Sequence, residues 1–210
     1  MKIICDSSTL ISLAETCNLE VLYLLAENSV EFYITKSVKK EIIENPERIK
    51  RYEYGALRLE KCFEDRVIKE VEEDWQETRS LAEKLNSTFE IEGRNLTIVQ
   101  EGEVSCISVY KKFSFDAFAV DEKTTRLLFE NPELLLVEME KEYGEKMVFH
   151  KPDFLKIQIL RSTELLYFAF RKGYLQEFKN PKKVFNAALQ ALKYAGCSIT
   201  EDELEEYANL

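Results

Sequence analysis

The opening run of the chain sets its hydrophobic pattern. Ile3, Ile4 and Cys5 follow one another without a polar break, and the run stops on Asp6. Ser7, Ser8 and Thr9 come next, and a helical pattern starts at Leu10. A run this apolar suits a strand covered on both faces, as in a parallel sheet. Ser7 or Ser8 is placed to cap the helix over 10–16, and Asn18 to cap a second helix carrying Leu19, Val21, Leu22 and Leu25. Residues 31–35 (Glu-Phe-Tyr-Ile-Thr) read as a strand, and 37–44 as a helix with Val38 and Ile42 one turn apart. Asn45-Pro46, Asn131-Pro132 and Asn180-Pro181 each join a cap residue to a proline suited to the first helical position. Further helices are expected over 48–62, 72–85, 102–110, 125–129, 132–143, 154–173 and 181–195. Further strands are expected over 66–71, 115–121 and 146–150, and an extended segment over 96–99. Gly196 closes the penultimate helix, and Thr200 with Glu203 forms a capping box for the last one. Strands alternate with helices, so the fold class is α/β, with a largely parallel sheet and helices on both faces.

Composition narrows the chemistry. The 210 residues fit one domain, or one domain with an extension, and 45% hydrophobic content supports a sizeable core. No apolar run approaches the roughly 18 residues of a membrane span. Asp6 interrupts the N-terminal apolar stretch, so no signal peptide is expected. Cys5, Cys17, Cys62, Cys106 and Cys197 are scattered without zinc spacing, which reads as reduced thiols in a cytoplasmic protein. With His150 as the single histidine, neither a multi-histidine metal site nor a Ser-His triad is expected within the chain. Any metal falls to carboxylates, which select hard ions such as Mg²⁺ or Mn²⁺. The net charge of −10 argues against a general nucleic-acid binder, yet residues 146–193 carry ten basic side chains against three acidic ones.

Four acids stand out by position. Asp6 and Asp121 each end an apolar strand pattern, so both lie where open α/β sheets place their ligands. Glu41 lies in Val38-Lys39-Lys40-Glu41-Ile42, and Glu103 at the helix start in Gln100-Glu101-Gly102-Glu103. Four carboxylates at one sheet edge repel one another without a cation and bind divalent ions well. A metal pair bridged by such acids is a known engine of phosphodiester hydrolysis. Each also has an ordinary use. Asp6 can simply cap its helix, Glu41 can lie on a solvated face, and Glu103 can complement a helix dipole. Glu122 reads better as a helix-start acid than as a ligand, and Arg126 better as an ion-pair partner than as a phosphate contact. Trp75 and Tyr167-Phe168-Ala169-Phe170 read as core.

Taken in order, these motifs resemble the PIN-domain family. They are Asp6-Ser7-Ser8-Thr9-Leu10-Ile11, Val38 to Ile42, Gly102-Glu103, and Val120-Asp121-Glu122 with Arg126 a few positions on. The resemblance covers about residues 1–150. It implies a three-layer α/β/α sandwich with the first and fourth strands adjacent. It implies a Mg²⁺- or Mn²⁺-dependent endoribonuclease acting on single-stranded RNA, with Asp6, Glu41, Glu103 and Asp121 as catalytic metal ligands. Ser8, Glu122 and Arg126 would take outer positions. Residues 151–210 form a helical C-terminal extension packed on or beside that domain. Its basic residues suit phosphates or a solvated face, and its apolar faces suit a second copy of the chain or an antitoxin-like helix equally.

The sequence departs from the small members of the family in three ways: a long acidic segment over 45–100, a long link from Asp121 to His150, and the C-terminal tail. Rival phosphotransfer folds fit worse. A dehalogenase-type site needs a second Asp two residues after the first, where Ser8 stands, and a receiver-type site lacks its paired acids and late strand-end lysine. A PIN-like scaffold that binds RNA or protein without catalysis is the non-enzyme alternative.

Overall fold

In chain order the helices and strands are β1 (Lys2–Cys5), α1 (Ser7–Glu15), α2 (Glu20–Glu27), β2 (Glu31–Thr35), α3 (Lys36–Lys39), α4 (Glu53–Glu64), β3 (Ile68–Val71), α5 (Trp75–Leu85), β4 (Phe89–Ile91), β5 (Arg94–Asn95), α6 (Glu101–Lys112), β6 (Ala117–Ala119), α7 (Lys123–Glu130), α8 (Pro132–Tyr143), β7 (Val148–Phe149), β8 (Ile159–Leu160), α9 (Ser162–Arg171), α10 (Pro181–Tyr194) and α11 (Glu201–Asn209). They come from a computed structural model that describes residues 1–46, 49–50, 52–150 and 156–209. α3 runs directly into a π-helical turn, Lys40–Glu44.

The central sheet has the order β3-β2-β1-β6-β8. All four pairings are parallel, with Ile3 level with Phe32 on one side and Ala117 on the other. β1 is therefore interior, and Ile3, Ile4 and Cys5 are no more than 1% exposed. This is what an unbroken apolar run predicts. Counting the central strands in chain order, the first and fourth, β1 and β6, are neighbours, as the resemblance implies. Helices flank this sheet to give the α/β/α architecture. A smaller antiparallel sheet, β5-β4-β7, stands apart from it. Its β4–β5 hairpin turns on Glu92 and Gly93, both at positive φ (49° and 77°), which matches a two-residue turn with glycine in its second place.

Several local expectations change. Residues 146–150 do contain a strand, β7, but it pairs with β4 and not with the central sheet. The last central strand is β8, inside the segment expected to be helical over 154–173. Residues 151–155 lie outside the described residues. Ile157 and Ile159 are β-branched, Leu160 adds a further apolar side chain, and the helical period starts only at Ser162. The extended segment expected over 96–99 forms no strand. The Asn86 side chain holds it, accepting from the Ile98 and Val99 amides at 2.8 and 3.0 Å. Of the helix expected over 48–62, Arg48 falls outside the described residues and the helix begins at Glu53. Asn131 and Asn180 cap α8 and α10 with the prolines in place. After Asn45-Pro46, residues 47 and 48 are outside the description. Asn18 does not cap α2. Its amide instead donates to Thr16 and its carbonyl oxygen accepts from the Tyr174 hydroxyl at 3.1 Å. Trp75 is not core but 64% exposed at the start of α5, with Arg79 over its ring.

The C-terminal segment is joined to the sheet through β8. α9 packs on α1 and α2, and α10 packs on α9. Leu165, Leu166 and Ala169 are fully buried, and Phe170 stacks on Phe185 at 4.4 Å between centroids. All five cysteines are free thiols. Among the described residues no single helix is long and apolar enough to cross a membrane.

Candidate acidic active site

The parallel register brings the ends of β1 and β6 side by side. The Asp6 amide donates to the Ala119 carbonyl at 2.9 Å, so the two strands are still paired where they turn into their helices. Asp6, not Ser7 or Ser8, is the cap of α1. Its Oδ2 accepts from the Ser8 amide at 3.0 Å and the Ser8 hydroxyl at 2.6 Å. Its Oδ1 is buried and has no hydrogen-bond partner among the described residues. The capping reading and the site reading thus apply to different oxygens of one carboxylate. The Ser8 hydroxyl also accepts from the Asp121 amide at 3.1 Å, which ties the two strand-end aspartates together.

Asp121 is fully buried. Its carboxylate is held by the Ser162 amide (2.7 Å), the Ser162 hydroxyl (2.6 Å) and the Thr9 hydroxyl (3.3 Å). The sequence reading did not single out Ser162 or Thr9. The signal for Ser162 was there: Ile159-Leu160-Arg161-Ser162 repeats the form of the first motif, an apolar strand running into a hydroxyl residue at a helix start.

Glu41 and Glu103 approach from the other helices. Glu41 lies on the π-helical turn, a device common at functional sites. The Ser7 side chain and the Gly102 backbone stand beside its carboxylate and favour the charged form. A Cβ on Gly102 would lie 2.7 and 2.9 Å from the two Glu41 carboxylate oxygens, so only glycine leaves room for that carboxylate. Glu103 forms a capping box with Gln100, taking the Gln100 amide at 2.7 Å, and also accepts from the Thr125 hydroxyl. Of the outer residues, Glu122 caps α7 by accepting from the Thr125 amide at 2.7 Å. Arg126 pairs with Glu130 at 2.9 Å and donates to the Ser198 hydroxyl, so its ion-pair reading holds.

Burial and mutual repulsion govern the charge of this group. Burial pushes the Asp6 carboxyl up, and Asp121 adds to the shift against the bonds from Ser8. Burial raises Glu41, with the Asp6 and Glu101 charges behind it. Burial, then the Asp6 charge, carries Glu103 from 4.5 up to about 7. Between those two values the folded chain keeps a proton at Glu103 that the unfolded chain has released. Stability is therefore lost as pH rises through that window. For the metal-free chain, Glu103 makes the protein roughly 2 kcal/mol less stable at pH 8 than at pH 5.5, or roughly 4–8 °C in melting temperature. Glu103→Gln should remove that part of the pH dependence, and thermal melts of both chains at the two pH values check it. An identical pH response in the two would refute the assignment.

Among the described residues, no group of three or more His, Cys, Asp or Glu side chains has metal-ligand geometry. The carboxylates are turned instead onto the local donors named above. The donor chemistry nevertheless fits a hard divalent cation: it is all oxygen, the Asp6 Oδ1 is buried without a partner, and the repulsion that raises Glu41 and Glu103 is of the kind a cation relieves.

A parallel sheet with two buried aspartates at adjacent strand ends, faced by two helix glutamates, is a nuclease-like α/β arrangement. The family model described as a PIN domain matches residues 2–136, and the chain belongs to that family. PIN domains are generally nucleases and typically use divalent metals. No match is found among the curated proteins or the solved structures.

Proposed function

We propose that the chain is a divalent-metal-dependent endoribonuclease. The observation that supports the reading is the buried Asp6 Oδ1, which has no partner among the described residues, with the Asp6 charge acting on Glu41 and Glu103 and the Asp121 charge on Asp6. In this reading those four acids hold Mg²⁺ or Mn²⁺. A cation bound there supplies an activated water and stabilises the charge that develops on an in-line phosphodiester. The chain's own residues do the positioning. Ser8 keeps Asp6 and Asp121 in register, Gly102 leaves space for Glu41, and Thr125 orients Glu103. The choice of RNA rests on the family resemblance. Lys172, Lys179 and Lys183 are exposed, make no ion pair among the described residues, and are suited to phosphates. Arg161 and Lys193, by contrast, are engaged with Glu164, Glu203 and Glu201.

One observation favours the non-catalytic scaffold: three hydrogen bonds already satisfy the Asp121 carboxylate. Metal addition separates the two readings. Mn²⁺ at a hundredfold excess over its Kd should stabilise the folded chain by about 2.7 kcal/mol, or roughly 5–10 °C in melting temperature. Asp6→Asn should lose that gain. The metal-stripped chain, tested on a mixed RNA pool, should cleave when Mn²⁺ is restored. No cleavage at saturating metal, with RNA demonstrably bound, would leave the scaffold as the function.

A further inference from the structure

The family match ends at residue 136, yet the acid that ends β6 is held by a residue beyond it. We infer that Ser162 is a positioning residue of the acidic site, and that the C-terminal segment is thereby a working part of it. The inference rests on the nuclease reading above.

Ser162 is fully buried at the first position of α9. Its amide is one of the first-turn donors that a helix leaves without an internal partner, and it points at Asp121 Oδ1 at 2.7 Å. Its hydroxyl takes Oδ2 at 2.6 Å. One residue thus grips both oxygens and sets the plane of the carboxylate. The positive end of a ten-residue helix stands behind these two donors.

The grip is itself anchored from the tail. Arg161 pairs with Glu164 at 2.8 Å and with Glu203 at 2.9 Å, and donates to the Ser198 carbonyl at 2.9 Å. The Ser198 amide donates to the Asp121 carbonyl at 3.1 Å. The Tyr207 hydroxyl, from α11, donates to Glu164. These contacts link α9, the 197–199 turn and α11 to the end of β6. A carboxylate fixed in this way presents a constant direction to a cation instead of swinging between donors, which is how outer partners tune metal ligands.

The test uses the full-length chain with Ser162→Ala, which keeps the backbone donor and removes the hydroxyl. Mn²⁺ affinity is read by calorimetry, cleavage by kcat and KM on one RNA, and folding by melting in EDTA. The expected result is a loss of about ten- to a hundredfold in Mn²⁺ affinity and in kcat, with KM for RNA unchanged. Introduced into Asp121→Asn, the same substitution should change Mn²⁺ affinity no further, because Ser162 acts through that carboxylate. A purely structural serine would cost folding equally in both backgrounds and leave affinity per folded molecule untouched. Wild-type Mn²⁺ affinity and kcat in folded Ser162→Ala would overturn this inference alone. A wild-type chain that neither binds Mn²⁺ nor cleaves RNA would overturn the nuclease reading and this inference with it.

Discussion

Asp6→Asn, Glu103→Gln and Asp121→Asn are each expected to lower Mn²⁺-dependent RNA cleavage on the order of 10³-fold. Each substitution keeps the shape of the side chain and removes one negative charge from a site where little else balances a cation. Asp6→Asn should be the most severe, because Oδ1 is the one oxygen of this aspartate with no protein donor to turn to. Asp121→Asn carries a second cost. The Ser162 amide and hydroxyl both donate to this side chain, and an amide nitrogen cannot accept one of those bonds. It should therefore destabilise the fold; Glu103→Gln disturbs the bonds from the Gln100 amide and the Thr125 hydroxyl in the same way, but removes a charge that burial disfavours, so its net cost should be smaller. Single-turnover cleavage with equal folded protein, alongside EDTA melts, separates the two effects. Equal cleavage by wild type and all three variants would point to a contaminating nuclease and end the assignment.

Gly102→Ala is expected to cost about a hundredfold in cleavage while leaving the fold intact. A Cβ at this position meets both Glu41 carboxylate oxygens at 2.7 and 2.9 Å and Cδ at 3.0 Å, distances that no real contact sustains. What must move is the end of a flexible side chain, not backbone, so the fold can absorb the change by swinging Glu41 away. Displacement by about 1 Å is enough to cost on the order of 10² in rate. Alanine is meanwhile the better helix former by about 1 kcal/mol, and Gly102 lies in the first turn of α6. The outcome is a chain that melts at or slightly above the wild-type temperature and cleaves poorly. Wild-type turnover in Gly102→Ala would show that the Glu41 position is immaterial to the reaction.

Much of this architecture is legible in residue order. The apolar runs before Asp6 and Asp121 fit buried parallel strands with acids at their ends, since a strand covered on both faces needs no polar side. Asn131-Pro132 and Asn180-Pro181 mark their helix starts because cap and proline chemistry act within three residues. Contacts distant in sequence left weaker marks. The pairing of β8 with β6 was hidden because Ile159-Leu160 is two residues long and abuts a strongly helical pattern. Trp75 reads as core in the sequence, but it lies beside the Asp74 cap at the start of α5 and is exposed. The role of Asn18 depends on Tyr174, 156 residues away, and no local rule reaches that far. The acids themselves were readable as a set. Which oxygen caps, which is held and which is free depends on hydroxyls from three different helices.

The position of β1 has a consequence for the order in which the chain can be completed during synthesis. β2 is available to it within some thirty residues, but its other edge is closed only by Ala117–Ala119, and that strand in turn only by Ile159–Leu160. At roughly 5–20 residues per second, the ribosome leaves the apolar second edge of β1 open for about 5–20 s after the strand emerges. The nascent chain is therefore expected to expose this apolar edge, and its acidic site to stay incomplete, until residues 159–162 are made. In the proposed nuclease reading, the growing chain holds no finished site while residues 1–158 alone are made.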